Sequence, residues 1–176
     1  MTLRADCGDC FALCCVAPAF AKSVDFAVDK PAGTPCRNLL DDFRCGIHTS
    51  LRSTGFRGCT VYDCFGAGQK VSQQTFGGRD WRSAPESASA MFGSLTVMRA
   101  LHELLYYLAE ALTLPAATSV HAELRRIASE IEALSDLPAD RLPTSPPTGC
   151  WSSTLRRTAA RRTTCCDAVP TCAALT

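Results

Sequence analysis

The chain has 176 residues, with 18 Lys and Arg against 17 Asp and Glu, and twelve of its residues are cysteines. Such a length predicts one domain of ordinary size. The near-neutral charge lacks the excess of basic residues that is typical of nucleic-acid-binding proteins. No apolar stretch approaches the roughly 18 residues of a membrane-spanning helix, and no apolar leader precedes the first cysteine. We therefore expect a cytoplasmic protein with neither nucleic acid nor membrane as a partner.

The cysteines are concentrated near the start of the chain. Adjacent cysteines preceded by a C-x2-C pair are hard to explain as disulfide partners, because a disulfide requires a restricted geometry. In a reducing compartment, clustered cysteines are more often metal ligands. The predicted metal ligands are the eight cysteines of the first 64 residues, namely Cys7, Cys10, Cys14, Cys15, Cys36, Cys45, Cys59 and Cys64. Zinc and a [4Fe–4S] cluster each take four such ligands, so either there are two sites or some of these cysteines are structural.

Histidines and carboxylates add little to this constellation. His48 follows Cys45 by three residues and is either a further ligand or a hydrogen-bonded structural histidine. His102 and His121 fall on predicted helices, where we interpret them as structural or exposed. The sequence contains no G-x-S-x-G, P-loop or H-E-x-x-H motif. We therefore assign no catalytic residue, and no catalytic step is identified.

The predicted fold class is α plus irregular, with a small cysteine-rich metal-binding domain packed on a helical hairpin. Residues 1–85 form the cysteine-rich region, punctuated by Gly and Pro, and a thin core of this kind usually needs a metal or disulfides. Alternation of apolar residues allows two short strands there, at residues 23–28 and 59–63.

Residues 86–136 show helical periodicity. The apolar residues of the first helix are Met91, Leu95, Met98, Leu101, Leu105, Leu108 and Leu112, and those of the second are Val120, Leu124, Ile127, Ile131 and Leu134. Pro115 ends the first helix, and Ser119 is the predicted N-cap of the second. The short link between them predicts an antiparallel hairpin, whose apolar faces must bury against the cysteine-rich region or a protein partner.

Residues 137–176 lack periodicity and are predicted to be disordered. Their late cysteines, Cys150, Cys165, Cys166 and Cys172, lie in Pro-, Arg- and Thr-rich sequence without a pattern of ligand spacing. We expect none of these four to bind metal.

Two resemblances follow from the motifs. The pattern of Cys7-x2-Cys10-x3-Cys14-Cys15, then Pro35-Cys36-x2-Leu39, then Cys45-x-Ile47-His48, then Cys59, is similar to the zinc- or iron-chelating cysteine-cluster family. That family typically has C-x2-C-x2-CC and an Arg-Pro element beside its last cysteine. In this chain the first spacing is one residue longer and the Arg-Pro element is missing.

Residues 1–135 also resemble the N-terminal part of actinobacterial pentapeptide-repeat-containing proteins. The resemblance is carried by Phe43-Arg-Cys45-Gly-Ile-His48, by the Gly58–Gln69 segment, by Thr75-Phe-Gly-Gly-Arg-Asp-Trp81 and by the helix from Met98 to Glu110. It implies that a β-helix of A-D/N-L-x-x repeats should follow, but no such repeat is visible. With GC-rich codons, the sequence encoding Val169 to Thr176 would read Ala-Asp-Leu-Arg-Gly-Ala-Asp in a shifted frame. We therefore expect that the repeats were lost by a frameshift.

The functional expectation is a metal-chelating module holding zinc or an iron–sulfur cluster, because thiolates select these over hard cations. Two alternatives stay open at this point. One is an iron–sulfur redox protein, and the other is a zinc-stabilised scaffold whose helical hairpin docks a protein partner.

Overall fold

The computed structural model describes residues 2–142, and the predicted disorder of the tail and its four cysteines lie outside this part of the chain. The α-helices are α1 (Leu13–Val16), α2 (Arg57–Val61), α3 (Ala67–Gln69), α4 (Ala88–Thr113) and α5 (His121–Ser135). A π-helix, Lys70–Thr75, continues α3 directly. The remaining elements are short 3-10 turns at His48–Ser50, Pro85–Ser87, Pro115–Val120 and Ala139–Arg141. The helical character of the predicted fold class is confirmed.

The two predicted strands are wrong. Residues 59–61 belong to α2, and residues 23–28 form a loop flanked by the isolated antiparallel bridge between Phe20 and Lys30. The alternating apolar side chains of these segments pack loops against one another instead of forming a sheet. The ring of Phe26 stacks on that of Phe20 with centroids 4.4 Å apart, and a Cβ at Gly58 would lie only 2.5 Å from the Phe26 ring. No strand occurs within residues 2–142.

The helical hairpin is present as predicted, with one difference at its turn. Helix α4 ends at Thr113, and Leu114 is extended before Pro115, as expected for a residue preceding proline. Ser119 is not the N-cap of α5. The 3-10 turn Pro115–Val120 leads directly into the helix, and the His121 backbone N–H donates to the Thr118 carbonyl, so the first amide of α5 is satisfied without a side-chain cap.

Two apolar cores organise the described residues. In the first core, the apolar face of α4 packs on α1, α3 and the π-helix; its fully buried members are Leu13, Ala67, Val71, Met91 and Met98. The second core lies within the cysteine-rich region and is built from Phe20, Cys36, Leu51 and Phe56. The hairpin therefore buries its apolar stripe against the cysteine-rich region, which was one of the two expected outcomes.

No helix among residues 2–142 has the length and apolar character needed to cross a bilayer.

Candidate metal centre

All eight cysteines of the cysteine-rich region are free thiols. Cys36 is buried, Cys7 is exposed, and the other six lie at intermediate depth. The fold brings them together from five separate segments, into two groups that each border a different apolar core. We call Cys7, Cys10, Cys14 and Cys64 the first thiol group, and Cys15, Cys36, Cys45 and Cys59 the second thiol group.

The first thiol group lies where the N-terminal segment crosses α3. Ala12 adopts a left-handed conformation (φ 55°) just before α1, which turns the chain sharply between Cys10 and Cys14. A Cβ added at Gly68 in α3 would lie 2.7 Å from the Cys10 sulfur and 3.7 Å from that of Cys64. Both sulfurs therefore approach the same point of α3, and only a residue without a side chain permits that approach. Cys10 and Cys64 also pack against the first apolar core.

The second thiol group surrounds the second apolar core. Cys36 is part of that core, and Cys15, Cys45 and Cys59 pack against it. The Cys36 backbone N–H donates to the Cys15 carbonyl at 2.9 Å, which ties two of the segments together. Cys45 is positioned by its isolated antiparallel bridge to Leu39, and Cys59 by the short helix α2.

The adjacent residues Cys14 and Cys15 in α1 join the two groups. Their side chains share a hydrogen bond, and this bond together with burial and the neighbouring charge raises the pKa of Cys14. The Cys15 side chain also hydrogen-bonds Cys45. Ionised Cys14 would repel Cys7 and Cys10 on one side and Cys45 and Cys59 on the other. The eight thiols therefore form one continuous constellation with its junction at α1.

Five of the eight thiols resist ionisation because their pKa values are raised, namely Cys7, Cys10, Cys14, Cys45 and Cys59. Burial, followed by repulsion from neighbouring thiolates, raises the pKa of Cys59 to about 11. Burial is also the main cause that raises the pKa of Cys10 to about 11 and that raises the pKa values of Cys7 and Cys45. At neutral pH these groups carry protons, and gathering several thiolates here requires a compensating positive charge.

Backbone amides nevertheless hydrogen-bond individual sulfurs. The amide of Leu13 bonds the Cys10 thiol and lowers its pKa, although less than burial raises it. The Ile47 amide acts in the same way on the pKa of Cys45, again opposing the larger effect of burial. Hydrogen bonds to sulfur stabilise a thiolate and tune a bound metal or cluster. These amides offset part of the effect of burial, and the pKa values of both thiols stay above their ordinary value.

A buried lysine supplies positive charge beside the second thiol group. Lys30 is 5% exposed, and its ammonium donates to the backbone carbonyls of Val16, Pro18, Pro31 and Thr34. Burial lowers the pKa of Lys30, and the nearby Cys36 and Cys15 oppose that shift. This arrangement could not be predicted from the sequence, because a lone lysine in a loop is usually exposed.

The thiols do not converge on a single point as they stand. Among residues 2–142, no three His, Cys, Asp or Glu side chains are arranged as a group that could hold a metal ion. His48 is exposed on its 3-10 turn. The donor set nevertheless fits zinc or an iron–sulfur cluster in chemistry, since it consists of soft thiols in two groups of four.

Sequence reasoning missed a polar cavity of about 500 Å³ next to the first thiol group, whose wall includes His102 and Lys70. His102 is completely buried, contrary to the alternative that it is exposed. Its position four residues after the buried Met98 places it on the apolar face of α4, and that spacing could have signalled its burial.

Comparison with known proteins gives one relative. The chain is 56% identical over 140 residues to a Bacillus subtilis (strain 168) protein titled "Uncharacterized protein YybG"; the aligned region is 80% of this chain and 50% of that protein. The chain thus spans about half the length of that relative. No known family profile matches the chain, and no solved structure matches it.

Proposed function

We propose that the cysteine-rich region chelates metal through two four-thiolate sites, taking either zinc or an iron–sulfur cluster, and that it performs no catalytic step itself. The first thiol group would supply one site and the second thiol group the other. The observation that supports the proposal is the position of four predicted ligands at the second apolar core and of Cys10 and Cys64 at the first, with Cys14 and Cys15 adjacent in α1.

Electrostatics favours a cation in this constellation. Burial and, after it, repulsion from neighbouring thiolates raise the pKa values of Cys7 and Cys59. A bound divalent metal removes that repulsion and stabilises the deprotonated sulfurs. The amide hydrogen bonds to Cys10 and Cys45 and the ammonium of Lys30 act in the same direction. When bound, the metal would cross-link segments that have only short helices to hold them.

Loading requires the sulfurs to turn toward common centres from their present positions. Cys7 is exposed and lies in a loop, where its side chain is not fixed by packing. The second thiol group is more constrained, because Cys36 belongs to the second apolar core. We therefore expect the second thiol group to select its metal more strictly.

Metal analysis of the anaerobically purified protein tests the proposal. We expect roughly two zinc ions per chain, from four thiolates for each, or a visible absorbance band with stoichiometric iron and sulfide. Colourless protein with zinc would favour the scaffold alternative, and a chromophore with reversible reduction would favour the redox alternative. Protein that carries neither metal and whose eight thiols remain freely reactive would overturn the proposal.

Single substitutions assign the two sites. Cys10→Ser should lower the metal content of the first thiol group, and Cys45→Ser that of the second. Cys172→Ser is the matched control, because it makes the same chemical change outside both groups. A loss of metal in the control variant equal to that of Cys10→Ser would show that the ligands were assigned wrongly.

The module is further proposed to belong to a pentapeptide-repeat-type protein. The support is the resemblance of residues 1–135, together with a relative twice the length of the aligned region. Resequencing the gene tests the idea directly. An open frame encoding Ala-Asp-Leu-type repeats, offset by one or two nucleotides from about codon 142, is the expected result, whereas an offset frame full of stop codons would contradict it.

A further inference from the structure

The polar cavity beside the first thiol group has the dimensions of a small-molecule site. It is open to solvent on one side and has a volume of about 500 Å³, within the range typical of ligand pockets. Its wall combines the N-terminal segment, the π-helix Lys70–Thr75 and the C-terminal part of α5. A π-helical turn is rare and is frequently found at a functional site. None of the eight thiols lines this cavity.

His102 presents an unused acceptor in the cavity wall. It is completely buried, and its Nδ1 lies 2.7 Å from the carbonyl oxygen of Phe65. Because a carbonyl only accepts, Nδ1 carries the proton and Nε2 holds a lone pair in the neutral ring. Burial lowers the pKa of His102, which keeps the ring neutral at pH 7. Nε2 has no hydrogen-bond partner in the part of the chain that the structure describes.

The charges on the wall select the kind of ligand. Carboxylates of Asp6, Asp9, Glu132 and Asp136 line the cavity. The described wall holds one ammonium, that of Lys70, and it is already bonded to Asp136 and to Gln74. Acceptors thus exceed donors, and the net field is negative. An anionic ligand would be repelled, whereas a cation with several N–H groups would find acceptors on opposite walls.

We propose that this cavity binds a small organic amine cation, whose N–H groups donate to Glu132, to the N-terminal aspartates and to Nε2 of His102. This site is separate from the proposed metal sites, and it does not require them to be occupied by a particular metal. Lys70 closes one wall by its pairing with Asp136.

Calorimetric titration of the full-length protein with 1,4-diaminobutane tests the proposal. Saturable binding with a Kd below about 1 mM is expected at low ionic strength. Glu132→Gln, on an exposed position of α5, should weaken binding roughly tenfold, which is the size expected for loss of a charge-assisted hydrogen bond. Glu110→Gln on α4 is the matched control, since Glu110 is exposed and lies away from the cavity, and it should bind normally.

The variant His102→Asn tests whether Nε2 of His102 accepts a hydrogen bond from the ligand. The Asn amide N–H can still donate to the Phe65 carbonyl, but the Nε2 lone pair is removed. A loss of affinity of about tenfold is expected. If this buried variant fails to fold, Glu132→Gln decides the question alone. Absence of saturable binding, equal weakening by Glu110→Gln, or tighter binding of Mg²⁺ or of succinate than of the diamine would each overturn the proposal.

Discussion

The helical hairpin and the cysteine-rich region are held together by different kinds of interaction. In the hairpin, long helices bury a continuous apolar stripe, with Met98, Leu101 and Ile131 at most 1% exposed. Each such side chain contributes about 1.5–3 kcal/mol of hydrophobic stabilisation. In the cysteine-rich region the longest uninterrupted α-helix has five residues, α2. Loops there are closed by single backbone hydrogen bonds and by the ammonium of Lys30.

This difference predicts which part of the molecule would depend on the proposed metal. Helix α4 has buried residues from Met91 to Leu105, and these pack against the first apolar core. The loops around the second thiol group enclose a small core, and small cores are marginal without a cross-link. Loss of metal should therefore destabilise the cysteine-rich region more than the helical hairpin.

Metal removal is the largest expected effect. Structural zinc supplies about 10–16 kcal/mol of apparent binding free energy to small zinc-finger peptides. Chelation under reducing conditions should abolish the near-ultraviolet circular dichroism of Trp81 and its aromatic neighbours Phe43 and Phe92, while much of the far-ultraviolet helical signal of α4 remains. Unchanged thermal stability after verified removal of metal would contradict the proposed dependence.

Metal affinity should rise with pH. Each thiol that binds must lose its proton, and burial raises the pKa values of Cys10 and Cys59 to about 11. Raised pKa values mean that protons compete with metal throughout the neutral range. Affinity should increase roughly tenfold per pH unit for each proton released, without a plateau below pH 9. Chelator competition between pH 6 and pH 9 measures the slope, and a flat profile would be inconsistent with thiolate ligation.

Met98→Ala should weaken the contact between the two regions. Met98 is completely buried in the first apolar core, against α1 and α3. Truncation of such a side chain lowers the free energy of unfolding by about 2–5 kcal/mol. Tyr107→Ala is the control, because Tyr107 is 57% exposed on the same helix. Denaturant unfolding compares the two, and an equal effect of both substitutions would argue against this packing.

Gly68→Ala adds a single methyl group and should disturb the first thiol group. Its new methyl group would meet the Cys10 sulfur at 2.7 Å, and overpacking of this kind costs about 1–3 kcal/mol. Metal content of the first thiol group should fall as well. Gly93→Ala is the matched control, because nothing lies within 4 Å of its position in α4. That control should stabilise the protein by about 0.5–1 kcal/mol; destabilisation by both variants alike would contradict the steric explanation.

The sequence was sufficient to predict α4 and α5, because their periodic apolar residues encode local structure. For the cysteine-rich region, the irregular character could be predicted from the sequence, but the individual elements could not. The short run at residues 59–63 was predicted to be a strand, but residues 59–61 end helix α2, whose Gly58 lies against the ring of Phe26. The left-handed turns at Ala12, Phe43 and Phe65 have no sequence signal, because they are not glycines.

The candidate ligands could be proposed by counting cysteines, but their division into two groups could not. That division depends on which core each segment borders, and cores form from residues distant in sequence. His102 and Lys70 were missed for the same reason, since their cavity joins the N-terminal segment with α5. Proposed ligation by all eight cysteines stays a prediction.

The burial of Lys30 has a practical consequence for chemical labelling. The chain contains three lysines, Lys22, Lys30 and Lys70. The ammonium of Lys30 is enclosed by backbone carbonyls, and that of Lys70 is paired with Asp136 and 10% exposed. Amine-reactive dyes should therefore couple to the exposed Lys22 in preference to the other two lysines. A fluorophore at Lys22 would sit on the loop closed by the Phe20–Lys30 bridge, where it could report the opening of that loop in real time.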